Sequence, residues 1–309
     1  MTTSDSDGQA SPVSPEPGES TKETPAALKP KKRTRPAWSS QFDAQALRQL
    51  DVQGPIGEIT REWAWGGSTG KGVRVAVIDS GIEADHPAVG GQVRGSIVVD
   101  FDANTKEQYR LSEDPERRDM FGHGTACAGI IHSLAPEAEL YSVRVLGNDL
   151  KGKALQFVGG IRWAIDNNIQ VANMSLSTSR QEFYGLFHEL TDDAYFKNMV
   201  LVSAVNNLPM PSYPSLYASV ISVAAHEGQD PFTFYYNPTP PVEFGAPGIN
   251  VKVAWLNKGS IVSTGNSFAA PHITGLVTLI RAKHPELTPF QIKTVLYACA
   301  SNAQTRQPE

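Results

Sequence analysis

The chain has 309 residues, 40% of them apolar, which suffices for one large α/β domain with appendages. A formal charge of −5 gives no global basis for binding nucleic acid or an anionic membrane. No uninterrupted apolar run approaches the roughly 20 residues of a membrane span.

Residues 1–40 are rich in Ser, Pro, Thr, Glu and Gly and almost free of aromatics. Such a segment buries too little apolar surface to offset its ordering entropy, so it is predicted to be a disordered tail. Its end, Lys29-Pro30-Lys31-Lys32-Arg33-Thr34-Arg35, is a basic cluster. It reads as a solvated linker ahead of an acidic docking partner or nucleic acid. The start, Met1-Thr2-Thr3-Ser4-Asp5, lacks a basic region followed by an apolar one, so no secretory signal is expected. The two cysteines, Cys127 and Cys299, are too few for a disulfide framework, and both features point to a reducing, cytoplasmic setting.

Residues 41–309 read as one α/β domain. Val73–Ile78 is a β-branched strand ending at an acid, and Thr125–Ile131 is a small-residue helix that packs inside. Ala154–Asn167 has helical apolar spacing, and Val171–Leu176 is a strand. Gln181–Met199 is helical, and Val200–Val205 and Ala218–Ala225 are strands. Continuous apolar strands separated by helices predict a three-layer domain: a mostly parallel central sheet with helices on both faces. A helix starts near Ser267 and ends before Pro285, with Pro271 read in its first turn, where the N–H groups lack acceptors anyway. A last helix starts at Thr288 as N-cap, with Pro289 at N1 and Gln291 closing a capping box. In parallel sheets the reactive site lies beyond the carboxyl ends of the strands.

Three segments carry chemistry. Asp79 ends a buried strand, before Ser80-Gly81, where a carboxylate can orient a histidine. His123 sits between Gly122 and Gly124-Thr125, and glycines there permit close approach to a neighbouring element. Ser267 follows Gly265-Asn266 at a helix mouth, where its own N–H faces incoming negative charge. A second donor for a developing oxyanion would come from Asn206-Asn207, at the end of the strand Val200–Val205. Acid, base and nucleophile follow in the order Asp, His, Ser.

These residues resemble the subtilisin-like serine peptidases over about residues 60–305. The blocks Asp79-Ser80-Gly81, Gly122-His123-Gly124-Thr125 and Gly265-Asn266-Ser267-Phe268-Ala269-Ala270-Pro271-His272 carry the likeness, together with Asn173-Met174-Ser175-Leu176 and Ala246-Pro247-Gly248. The resemblance implies a serine endopeptidase acting through an acyl-enzyme, with Asp79 orienting the base, His123 as general base then acid, and Ser267 as nucleophile. It implies Asn207 as the oxyanion donor, or Asn206 if the register is shifted by one. It further implies that substrate backbone pairs as a strand with Leu150-Lys151-Gly152 and Ser175-Leu176-Ser177. The expected partner is a peptide or protein substrate, with no nucleic acid and no membrane. Trimming of a precursor peptide is the narrower reading and general turnover its rival.

The sequence also departs from that family. Asn266 replaces threonine, which is expected to alter a secondary oxyanion contact, Phe268 replaces methionine, and Ser177 and Asn206 each replace glycine, and the acyl-side pocket is expected to be narrower or more polar. Cys127 resembles the cysteine of the proteinase K-like branch and reads as a small buried hydrophobe. Between Gly129-Ile130-Ile131 and Leu134-Ala135-Pro136-Glu137 there is no room for an extended calcium loop, so no metal and no cofactor are expected. Residues 1–40 are short for a folded chaperone domain. The domain either folds unaided or carries a removable inhibitory tail.

Overall fold

The computed structural model describes residues 44–49 and 58–303. The proposed tail 1–40, with its basic cluster, lies outside the described residues. The chain divides into two units, Met1–Pro55 and Ile56–Glu309. In the first, helix α1 spans Ala44–Gln49.

The second unit opens with α2 (Arg61–Trp65), capped by the Thr60 hydroxyl accepting from Trp63 N. The strands are β1 (Arg74–Asp79), β2 (Val93–Phe101), β3 (Tyr109–Glu113), β4 (Glu139–Arg144), β5 (Val171–Met174), β6 (Val200–Ala204), β7 (Val220–His226), β8 (Tyr235–Tyr236), β9 (Phe244–Pro247), β10 (Val251–Trp255) and β11 (Gly259–Ser263). The remaining helices are α3 (His123–Leu134), α4 (Ala154–Asp166), α5 (Tyr184–Phe196), α6 (Asn266–Lys283) and α7 (Pro289–Cys299). One sheet runs in the order β3-β2-β4-β1-β5-β6-β7-β9-β8. Its pairs from β2 to β9 are parallel, and the edge strands β3 and β8 are antiparallel. Strands β10 and β11 form a separate hairpin that leads into α6.

Alternation along β1 assigns the two faces. Val75 and Val77 join a core with Cys127 and Ile131 of α3, Ile273 and Val277 of α6, and Ile292 of α7. Ala76 and Ile78 join the opposite core with Phe157 and Ile161 of α4 and Phe187 and Leu190 of α5. This is the three-layer arrangement read from the sequence. Because side chains alternate with period two, Asp79 falls on the Val75/Val77 face, the one covered by α3. Helix α6 is buried without a break from Phe268 to Arg281, as an all-round apolar helix requires. The last helix has the expected reciprocal cap between Thr288 and Gln291.

Several boundaries differ from the sequence reading. β5 ends at Met174, so Ser175 and Leu176 leave the sheet at its edge. α6 starts at Asn266, which places Pro271 sixth rather than in the first turn. There the missing N–H would have bonded the carbonyl of Ser267, four residues back. That carbonyl instead accepts from Ser175 Oγ at 2.9 Å, with the Cys127 thiol donating at 3.5 Å. The carbonyl left free by the proline thus ties the first turn of α6 to the residue after β5 and to α3.

Arg281, only 2% exposed, ties two turns together at the far end of α6. Its guanidinium donates to the carbonyls of Pro285 (3.2 Å), Leu287 (2.6 Å) and Asn198 (3.1 Å), and to Asn198 Oδ1 (3.2 Å). Replacement by methionine keeps the stem's packing but strips four acceptors of their donor. The expected cost is on the order of 3 kcal/mol, a fall in Tm of about 5–12 °C for a domain of this size. A thermal midpoint within about 2 °C of wild type would contradict that accounting.

Candidate active site

Asp79, the last residue of β1, is fully buried and faces the first turn of α3. Both its oxygens lie 2.9 Å from His123 Nδ1. Oδ1 also accepts from Ser80 N at 2.8 Å. The close approach rests on glycine: a Cβ on Gly124 would stand 2.0 Å from the carbonyl oxygen of Gly81. Gly122, the N-cap, has φ +109°, which a side chain rarely tolerates.

With Nδ1 between two carboxylate oxygens, the neutral ring carries its proton there and Nε2 is the basic nitrogen. Burial opposes the imidazolium, but the Asp79 carboxylate, with Cys127 beside it, outweighs that and holds the His123 pKa well above the ordinary histidine value. The Phe268 ring packs against the imidazole, centroids 5.2 Å apart, within a small cluster that includes Ala126 and Ile130.

Ser267 is the second residue of α6. Its hydroxyl makes no hydrogen bond with a described residue, and neither does its backbone N–H. Asn207 follows β6 by three positions. Its Oδ1 accepts from Asn266 N at 2.9 Å, leaving Nδ2 without a partner among the described residues. Asn206 is placed differently, with its Oδ1 closing a turn onto Leu208 N. Asn266 does not face the cleft. Its Oδ1 accepts from Ala225 N, and its Nδ2 donates to the carbonyls of Val205 and Asn206. It binds the ends of β6 and β7 to the mouth of α6.

A cleft of about 330 Å³ opens beyond the carboxyl ends of β4, β5 and β6. It is lined by His123, Ser267, Asn207, Asn206, Leu150, Ser175, Leu176 and Ser177, together with Leu146, Ala204 and Val205. Thr178, just past this wall, pairs with Tyr213 in both directions at 3.0 and 2.8 Å. Two expected residues stand apart. Lys151 is exposed, pairs with Asp149 at 3.2 Å, and has its carbonyl taken by Gly147 N at 3.0 Å. Gly152 is packed so closely that a Cβ would lie 2.4 Å from the Val145 carbonyl oxygen. Neither lines the cleft, because the loop folds back on itself there.

Cys127 is fully buried beneath the dyad, its Sγ 3.9 Å from both His123 Nδ1 and Asp79 Oδ2 and 3.5 Å from Ser175 Oγ. Asp79, His123 and Cys127 are the one group among the described residues whose ligand atoms converge, within 4.8 Å. Burial pushes the Cys127 thiol up, away from the thiolate a metal would need, and Nδ1 is occupied by the carboxylate. The arrangement suits a hydrogen-bonded dyad with a packed thiol.

A family model, peptidase S8, matches residues 70–309. The chain belongs to the subtilase family. It is similar to a thermostable alkaline protease of Halalkalibacterium halodurans, 33% identical over 239 residues, covering 74% of this chain and 62% of that protein. It is 31% identical to the minor extracellular protease Epr of Bacillus subtilis, over 74% of this chain and 35% of that protein. Subtilisin BL of Lederbergia lenta is 30% identical over 247 residues, 76% of this chain and 86% of that protein. The chain therefore spans less than two thirds of the length of the first two relatives. Among solved structures, a cold-adapted subtilisin-like serine proteinase superposes with a TM-score of 0.61 at 25% identity, covering 77% of this chain and 87% of that one. A psychrophilic protease gives 0.62 at 29%, covering 74% and 83%. These neighbours share the subtilase three-layer fold. No helix among the described residues is long and apolar enough to cross a membrane.

Three features of this subtilase site were missed in the sequence: the coupling of Pro271 to the Ser267 carbonyl, the inward turn of Asn266, and Asp119, a buried carboxylate ahead of α3. Asp119 had a faint signal, an acid just before a helix start, where negative charge is favoured.

Proposed function

We propose that this subtilase is a serine endopeptidase with Asp79, His123 and Ser267 as its triad. The observation that carries this reading is the Asp79–His123 dyad, which shares one cleft with Ser267 and two unpartnered donors. His123 Nε2 takes the proton of Ser267 Oγ as that oxygen attacks the scissile carbonyl. The two are not bonded in the resting site, and the contact forms as substrate fills the cleft. The developing oxyanion lies between Ser267 N–H and Asn207 Nδ2, whose orientation is fixed by the bond from its oxygen to Asn266 N. The imidazolium, stabilised by Asp79, returns its proton to the leaving amine, and water then cleaves the acyl-enzyme through the same base.

The substrate is a peptide or protein chain lying along Leu150 and Ser175-Leu176-Ser177, with Lys151 and Gly152 supporting the loop. Ser177 and Asn206 give the pocket polar walls, which supports a narrow preference such as trimming of a precursor peptide. A reducing, cytoplasmic setting accords with the two buried thiols. Cell fractionation tests it.

A fluorophosphonate probe should label the wild-type protein stoichiometrically, and profiling on a mixed peptide library should give few cleavage sites without a dominant large aromatic. Asn207→Ala should keep the label but turn over about 10²–10³-fold more slowly, with KM little changed. No labelling of folded protein would overturn the peptidase reading. Full activity of Asn207→Ala would move the donor role to another group.

A further inference from the structure

We propose that Asp119 is a positioning residue that sets the alignment of His123 against Asp79. This rests on the peptidase reading of the site. Asp119 lies four residues before His123, is 8% exposed, and has no cationic partner among the described residues. Five donors converge on it instead. Oδ1 accepts from Ser80 Oγ (2.7 Å), Phe121 N (2.9 Å) and Gly122 N (2.7 Å). Oδ2 accepts from Thr125 N (2.8 Å) and Thr125 Oγ1 (2.7 Å). Only an acceptor-only group with two oxygens satisfies that set. Its charge also sits at the positive end of α3, a helix of 12 residues.

The two hydroxyls complete a circuit between the two segments of the dyad. Ser80, next to Asp79, donates to Asp119 and accepts from Gly124 N at 3.1 Å. Thr125 donates to Asp119 and accepts from Glu83 N at 2.9 Å. Met120 N donates to the Ser80 carbonyl at 2.9 Å, and Asp119 and Gly81 form an isolated antiparallel bridge. Residues 79–83 and 119–125 are therefore locked together on both sides of the Asp79–His123 contact. A closed, satisfied buried network rigidifies its surroundings. Rigidity matters here because Nδ1 is equidistant from both Asp79 oxygens, and a shift of α3 by a fraction of an ångström breaks that symmetry.

Asp119→Asn is the sharp test. The amide oxygen can keep Ser80, Phe121 and Gly122, but its NH₂ then faces Thr125 N–H, donor against donor. Misplacement of about 1 Å at a reacting group costs on the order of 10²-fold, so kcat on a short peptide should fall about 10- to 100-fold with KM within about threefold. The downfield Nδ1–H resonance of His123 should shift or broaden in the same variant. Ser80→Ala, a smaller lesion, should move both readouts in the same direction and carries the test if Asp119→Asn does not fold. Arg281→Met, distant and destabilising, should lower Tm while leaving kcat and the resonance unchanged. The proposal is overturned if Asp119→Asn, or Ser80→Ala in its place, keeps kcat and the resonance of wild type. It is equally overturned if Arg281→Met reduces both as much at an equal loss of Tm. A wild-type protein inactive on peptides sinks the peptidase reading alone, since the resonance reports the alignment without turnover.

Discussion

Ser267→Ala should reduce peptide turnover by about 10⁶-fold, the magnitude found for the nucleophile of a subtilisin, a relative of this chain. The loss is that large because base and orienting acid have no hydroxyl to act on. What persists is the catalysis supplied by the cleft and the oxyanion donors. The variant should lose the fluorophosphonate label and bind peptide with an affinity within a few-fold of wild type. Its thermal midpoint should move by no more than about 2 °C, because the hydroxyl has no hydrogen-bond partner to lose. Residual turnover above about 1% of wild type would mean that another residue attacks the carbonyl.

Asp79→Asn should cost about 10⁴-fold in kcat, because an amide can present its NH₂ to Nδ1 and turn the proton of the ring to Nε2, the wrong tautomer. The pH profile separates this effect from simple misfolding. In the wild type the carboxylate, helped by Cys127, outweighs burial and raises the His123 pKa. The imidazolium must lose its proton before the ring can act as a base, so kcat/KM should rise with pH through a midpoint above about 6.5. Without the carboxylate, the main opposition to burial is gone and the neutral ring is favoured. The residual activity of Asp79→Asn should then rise at lower pH than in the wild type. An acid limb that stays put would show that Asp79 does not set the ionisation of His123.

Local pattern made much of this molecule legible. Continuous apolar strands such as Val200–Ala204 can only be covered on both faces, which predicts the parallel sheet and its layers. Gly122 and Gly124 flanking His123 announce tight contacts, and the chain supplies them, Gly124 against Gly81 and Gly122 against Trp255. Other contacts were not legible from neighbouring residues. Lys151 and Gly152 lie beside Leu150 in sequence, but the bond from Gly147 N to the Lys151 carbonyl turns that loop away from the cleft. Asn266, in a motif position, spends its amide on strands β6 and β7.

Contiguous residues carried the family, the layer architecture and the candidate acid, base and hydroxyl, because periodicity and short glycine-flanked blocks are local properties. The tertiary structure alone set the Asn207 oxygen on Asn266 N and the Asn206 oxygen on Leu208 N, gave the Ser267 carbonyl its partners Ser175 and Cys127, and gathered five donors on Asp119. Several of those join strand ends to helix starts far apart along the chain. A hydrogen bond between such groups is fixed by how the layers stack, and no window of sequence contains both of its ends.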